Sequence, residues 1–213
     1  LHRPLLTPDP GALPLPTLEE DMPRIVPESW MPASPVQLRG IVTHWSAGHS
    51  HHASDLDREH YHICIEGDGR LVRGEKSILA NLKTSDGHYA AHCRGFNTKT
   101  IGVSVMCMGG AIESPRYFGT HPMTREQWDA MLLVCADLSE RYQIPVTPTT
   151  ILGHGEVERT LGIDQNGKWD PLCLPWAPKL SRREVADLMR EGIRSALKGR
   201  LSLPTETRTP IGA

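Results

Sequence analysis

No stretch of this chain offers about 18 consecutive apolar residues, so no membrane-crossing helix is predicted and membrane insertion is not expected. No charge of one sign dominates either: 23 Lys and Arg stand against 25 Asp and Glu, a formal net charge of −2. Nucleic acid is therefore not an expected partner, because proteins that bind it carry a basic face. A cationic, membrane-disrupting helix gains no support from the same balance. The five cysteines, Cys64, Cys93, Cys107, Cys135 and Cys173, are odd in number and include no Cys-x-x-Cys pair. That argues against a disulfide framework and for buried, reduced thiols. His-Glu-x-x-His is absent, which weakens the common metalloprotease reading. There is no internal repeat, and the N-terminus lacks a basic-then-apolar signal pattern. The chain opens at Leu1 rather than Met, so that last absence says little about destination.

What is present divides the chain. Its 213 residues suit one domain with extensions, long enough to build a core without metal or disulfides. Residues 1–35 hold nine of the 18 prolines, which forbids a long helix or a central strand there. They are expected to form an extended arm anchored by Ile25, Val26 and Trp30, or a free linker. Residues 36–200 are expected to form the domain, and residues 201–213 a loose tail.

Within the domain, Gly40 to His44 reads as a buried strand, Tyr61 to Ile65 as a second, and Arg70 to Arg73 as its return across a Gly67-Asp68-Gly69 turn. Thr100 to Met106 is another apolar run, and Thr149 to Leu152 a short strand. Residues 47–58 are polar and His-rich and read as a loop, as does the stretch from Gly155 to Gly167. Thr124 with Gln127 is a capping box, followed by an apolar stripe of Trp128, Met131, Leu132, Cys135 and Leu138 that predicts a helix ending near Tyr142. Ser181 with Glu184 opens a last helix with the stripe Val185, Leu188, Met189 and Leu197. The mixture predicts an α/β fold, a central mixed β-sheet flanked by helices.

Three short segments carry chemistry: Thr43-His44-Trp45-Ser46, Gly153-His154-Gly155 and Lys168-Trp169-Asp170-Pro171. Both histidines stand where a predicted strand runs into a loop, a place where a rigid sheet can hold a ligand. Two imidazoles and a carboxylate could close three corners of a zinc tetrahedron and leave the fourth to water, the layout of a catalytic rather than a structural site. Lys168 beside them could stabilise a developing oxyanion. The pattern suggests a metal-assisted hydrolase. His49, His51 and His52 are rival ligands on composition alone. Trp45 and Trp169 are candidates for stacking on sugar or for core packing. His60 and His62 would share the strand face opposite Tyr61, which makes His62 a structural residue if Tyr61 faces a pocket.

The whole ordered set resembles the zinc-dependent N-acetylmuramoyl-L-alanine amidases of the type-2 amidase family, which includes phage lysozyme-type amidases and peptidoglycan recognition proteins. The carrying segments are Ile41-Val42-Thr43-His44, Tyr61-His62-Ile63-Cys64-Ile65 with Asp68-Gly69, and His92-Cys93-Arg94-Gly95-Phe96-Asn97. They continue with Ser104 after Ile101-Gly102-Val103, then Gly153-His154 and Lys168-Trp169-Asp170-Pro171, and together span residues 38–175.

The resemblance implies a peptidoglycan-recognition-protein-like amidase fold. It implies one Zn²⁺ per chain on His44, His154 and Asp170, with Tyr61 and Lys168 catalytic. It also implies contacts to a peptidoglycan or muropeptide substrate from His92 and Asn97, with Trp45 beside them. Zinc in such a site acidifies a water and polarises the carbonyl of the amide joining N-acetylmuramic acid to L-alanine. Lys168 and Tyr61 would stabilise the oxyanion, and Tyr61 or a water chain would pass a proton to the leaving amine.

Two departures stand out. Ser104 takes the place of a glutamate found in the anhydro-muropeptide branch, and the segment from Ser46 to His60 is short. The expected setting is the cell wall or periplasm, and the expected state a monomer, for instance a compact endolysin. The alternatives are a non-catalytic peptidoglycan-binding module, another zinc hydrolase, or an amidase restricted to small anhydro-muropeptides.

Overall fold

The computed structural model describes residues 25–32 and 36–199. The expected tail at 201–213 and the first 24 residues of the arm lie outside these. Five strands form one mixed sheet in the order β3-β2-β4-β1-β5, from β1 (Gly40–Trp45), β2 (Ile63–Ile65), β3 (Leu71–Arg73), β4 (Thr100–Val105) and β5 (Ile151–Gly153). β1 runs parallel to β4, with His44 opposite Ser104, and parallel to β5, with Thr43 opposite Gly153. β2 is parallel to β4 and turns back through β3 as an antiparallel hairpin.

Alternation along the strands sorts the sheet into two unlike faces. Ile41, Ile63, Ile65, Ile101, Val103, Val105 and Ile151 join one apolar core with α2 (Arg125–Arg141) and α4 (Arg182–Leu197). Thr43 points the same way, its hydroxyl 3.2 Å from Met189 Sδ on α4. The residues between them, Val42 and Leu152, face a second, smaller core with Cys93, Phe96 and Val157 of α3 (His154–Leu161). His44 follows Val42 by two residues and so projects on this second face.

Both expected capping boxes form: Thr124 with Gln127 opens α2, and Ser181 with Glu184 opens α4. All five cysteines are free and buried. The described part of the arm lies along α2. Ile25 and Val26 donate their amides to Asp137 Oδ2 at 3.0 and 2.9 Å, and Val26 is fully buried. Ile25 and Trp30 pack half-buried against the main core.

Several local expectations need correction. Residues 47–58, read as a loop, include the start of helix α1 (Asp55–His60), nucleated by a Ser54–Asp57 capping box. Its residues are nowhere buried, so it has no apolar stripe to read. Tyr61 is the C-cap of that helix, and β2 begins only at Ile63. The segment after Gly155 is helix α3, ended by Gly162 at φ 71°. On α4 the buried stripe is Val185, Met189, Ile193 and Ala196, whereas Leu188 is 43% exposed.

α3 is fixed at its start by a buried ion pair. Glu156 accepts from the amide of Gly153 at 3.0 Å and from Arg190 Nη1 of α4 at 2.9 Å. Arg190 also donates to the carbonyl of Ile151 at 3.2 Å, so one guanidinium ties α4 to the end of β5 and the beginning of α3. Arg190→Met leaves the Glu156 carboxylate buried without its partner. The expected loss is about 3–5 kcal/mol, read as a lower urea midpoint at unchanged m-value.

Candidate metal centre

His44 is the fifth residue of β1 and is wholly buried. His154 is the first residue of α3, directly after β5. Because β5 is the parallel neighbour of β1, the two imidazoles leave the sheet side by side, Nδ1 to Nδ1 at 3.1 Å. Asp170 arrives from the loop after α3. Its carbonyl accepts from the amide of Gly155 at 2.7 Å, and its Oδ2 stands 3.3 Å from His44 Nδ1 and 3.2 Å from His154 Nδ1. Gly155 makes this approach possible, since a Cβ there would lie 2.7 Å from Trp169 Cα. Among the described residues, these three form the group whose ligand atoms converge as metal donors would.

The donor set tests well against a metal. The protonation of His154 follows from its neighbour Gln165, whose Nε2 donates to the carbonyls of Arg94 (2.8 Å) and Ile163 (3.3 Å). Gln165 Oε1 therefore accepts from His154 Nε2 at 2.8 Å, and His154 Nδ1 keeps its lone pair for the triangle. Three acceptor atoms at 3.1, 3.2 and 3.3 Å repel unless a cation sits among them. A tetrahedral zinc with ligands at about 2.05 Å sets ligand-to-ligand edges of about 3.3 Å. The set of two imidazoles and one carboxylate is one that zinc accepts.

Electrostatics point to the same need. Burial pushes the His44 imidazole down to about 4. Burial also works to lower His154, but the Asp170 carboxylate bonded to it outweighs that and carries it up to about 10. Asp170 is buried too, yet the two histidines hold it well below the usual carboxylate range. Without a metal, a proton on His154 neutralises the carboxylate.

A cavity of about 370 Å³ opens over this triangle, lined by Trp45, Tyr61, His92, His154, Lys168 and Asp170 among others. The Tyr61 ring lies 5.1 Å from that of His44. Its hydroxyl is held well above the ordinary tyrosine range, first by burial and then by the Asp170 charge, so it remains a proton donor. Ser104 lies in register with His44, and its buried hydroxyl stands beside the Tyr61 phenol. Lys168 is exposed on the cavity wall, with its carbonyl held by Arg182 Nη1 at 3.1 Å. Trp45 packs edge-on against Trp169 at 4.6 Å, so it serves both the core and the cavity wall.

Of the two expected substrate contacts beyond Trp45, His92 lines the cavity and Asn97 does not. Asn97 does not reach the cavity: its Oδ1 accepts from the amide of Cys93 at 2.8 Å and closes the 93–97 turn, as a short carboxamide does well. His92 lines the cavity and also stands behind His44, with Nδ1 3.2 Å from His44 Nε2. The rival histidines are engaged elsewhere: His49 with Thr120, His51 with the Pro122 carbonyl and His52 with Glu66. His62 is structural, bonded to the Gly102 amide and to Asn81. Sequence reasoning missed Gln165, which sits in a stretch with no pattern to mark it.

The family can now be stated. Residues 33–172 match the N-acetylmuramoyl-L-alanine amidase family, well over half of the chain, and the chain belongs to it. No curated protein matches it in sequence. Among solved structures it is similar to the N-acetylmuramoyl-L-alanine amidase LysC from Clostridium intestinale URNW. That pair shares 18% identity over 60% of this chain and 80% of that one, with a TM-score of 0.39. The Ph2119 endolysin from the Thermus scotoductus MAT2119 bacteriophage Ph2119 is similar at 17% identity, over 76% of this chain and 90% of its own, with a TM-score of 0.42. Drosophila peptidoglycan recognition protein SD matches at 19% identity over 61% and 76%, with a TM-score of 0.39.

Gly155→Ala tests the packing that delivers Asp170. The added methyl forces the Trp169–Asp170 backbone away from α3. It is expected to cost about 1–3 kcal/mol of stability and to weaken zinc binding at least about tenfold. Melting of the metal-free protein reads the first, and competition with a chelator reads the second.

Proposed function

We propose that this chain is a zinc-dependent amidase that cleaves the bond between N-acetylmuramic acid and L-alanine in peptidoglycan, with His44, His154 and Asp170 as the metal ligands. The observation that carries this reading is the triangle of three acceptor atoms on the floor of a cavity, in a chain of the amidase family. A divalent ion held there supplies a Lewis acid for the scissile carbonyl and a water acidified toward neutral pH.

The protein's own groups do the rest. The Lys168 ammonium faces the same cavity and offers a fixed positive charge to the oxyanion that develops at that carbonyl. The Tyr61 phenol, kept protonated by burial, donates a second hydrogen bond there or passes a proton to the leaving amine. Trp45 and Trp169 form an apolar wall suited to a sugar face. All these residues come from one chain, so a monomer suffices. The peptidoglycan substrate places the work at the cell wall or in the periplasm, as for an endolysin.

The test is incubation with defined peptidoglycan, with and without chelator, and identification of the products by mass. Free stem peptides beginning at L-alanine are expected, lost with chelator and restored by zinc. Asp170→Ala should lower the zinc content from one per chain. Lys168→Ala should keep zinc but lower kcat by about 10²–10³. Intact peptidoglycan with zinc bound would instead assign a binding module or an amidase restricted to small muropeptides.

A further inference from the structure

His44 presents two ring nitrogens, and only one proton is available to a neutral imidazole. Which nitrogen carries it decides whether Nδ1 can take a metal. A chain of hydrogen bonds running away from the cavity fixes the answer. The Phe96 carbonyl can only accept, and it lies 2.6 Å from Thr100 Oγ1, so the threonine spends its proton there. Thr100 Oγ1 is left to accept, and the His92 Nε2 that faces it at 3.4 Å is the donor. His92 Nδ1 then holds a lone pair, and it faces His44 Nε2 at 3.2 Å. His44 must donate from Nε2, which leaves Nδ1 bare toward His154 and Asp170. The opposite arrangement would set lone pairs of His92 and Thr100 against each other and point a proton of His44 into the metal position.

The position of His92 is itself held on two sides. Its ring lies over β4 at Gly102, where a Cβ would stand 2.5 Å from His92 Cγ, so the close approach requires glycine. The His62 ring meets it edge-on at 5.7 Å. His62 cannot turn, because Nδ1 accepts from the Gly102 amide at 2.9 Å and Nε2 donates to Asn81 Oδ1 at 3.1 Å.

We infer that His92 is a positioning residue. It accepts a hydrogen bond from His44 Nε2, fixes the tautomer and plane of that ligand, and so raises the metal affinity of the site, with Thr100 as the terminal acceptor that orients His92. This rests on the metal reading of His44, His154 and Asp170. Outer partners of this kind are worth about 10–100-fold in metal affinity.

The experiment has two arms. In the zinc-loaded wild-type protein labelled with ¹⁵N, long-range proton–nitrogen correlation of the imidazoles should show His44 and His92 both protonated at Nε2. In the second arm, zinc dissociation constants are measured by chelator competition. His92→Leu should bind zinc about 10–100-fold more weakly. His92→Asn, whose carboxamide oxygen can occupy the place of Nδ1, should recover most of that loss. Melting of the metal-free variants separates weakened binding from failure to fold. A His44 protonated at Nδ1, a leucine variant that binds zinc as tightly as wild type, or an asparagine variant no better than leucine overturns the inference. Wild-type protein that takes up no zinc at all overturns the metal reading as well, so the two failures are distinct.

Discussion

Three acceptor atoms gathered within 3.3 Å of one another are the constraint around which the molecule is organised. Before a metal arrives, a proton on His154 offsets the Asp170 charge, and the fold holds each of the three side chains by a different means. His44 is part of β1, an interior strand between β4 and β5, and cannot leave without breaking the sheet. His154 begins a helix whose first turn is tied to α4 through Glu156 and Arg190. Asp170 is held by its own backbone, through the hydrogen bond from Gly155. Ligands on regular elements keep their geometry better than ligands on loops. Asp170, the one of the three on a loop, is pinned to the start of a helix.

The unequal faces of the sheet explain why the site lies where it does. On the face covered by α2 and α4 the strands present mainly Ile and Val, with Thr43 as a polar exception. On the other, period-two alternation brings up Val42, His44, Gly102, Ser104, Cys64 and Leu152, a mixture no core would choose for stability. The long helices carry the stability, and the second face is released for polar work. Glycine at 102 on that face leaves the space that the His92 ring fills. The imidazole layer of His44, His62 and His92 is thus built into the sheet.

The parts of this arrangement that were legible in sequence are those with a strong local signal. β1 and β4 are runs rich in Ile and Val, and α2 and α4 combine capping boxes with apolar stripes, so each is readable without its neighbours. α1 and α3 were not. α1 is six residues long and buries none of them, and α3 buries only His154, Glu156 and Val157, two of which are polar. Their hydrophobic pattern is too thin to set a period. The convergence of His44, His154 and Asp170 was legible through their ordered segments. The bond from His44 to His92, spanning 48 residues, was not, nor was Gln165 behind His154. Contacts of that kind have no spacing rule, because they exist only after the sheet has chosen its register.

Sequence proximity then acquires a chemical meaning at Lys168. It stands two residues before Asp170, on the segment whose position the Gly155 amide sets, and its carbonyl is held by Arg182. Arg182 is itself clamped to Glu113 by paired contacts at 2.7 and 2.5 Å. Asp170 and Lys168, the proposed metal ligand and the proposed oxyanion-stabilising cation, thus share one short stretch of backbone, anchored at both ends. Catalysis by fixed charges depends on their relative placement more than on the absolute position of either. With both on one strap, any drift of the loop moves them together and changes their spacing least. The spacing between Asp170 and Lys168 is thereby protected even though neither belongs to a helix or a strand.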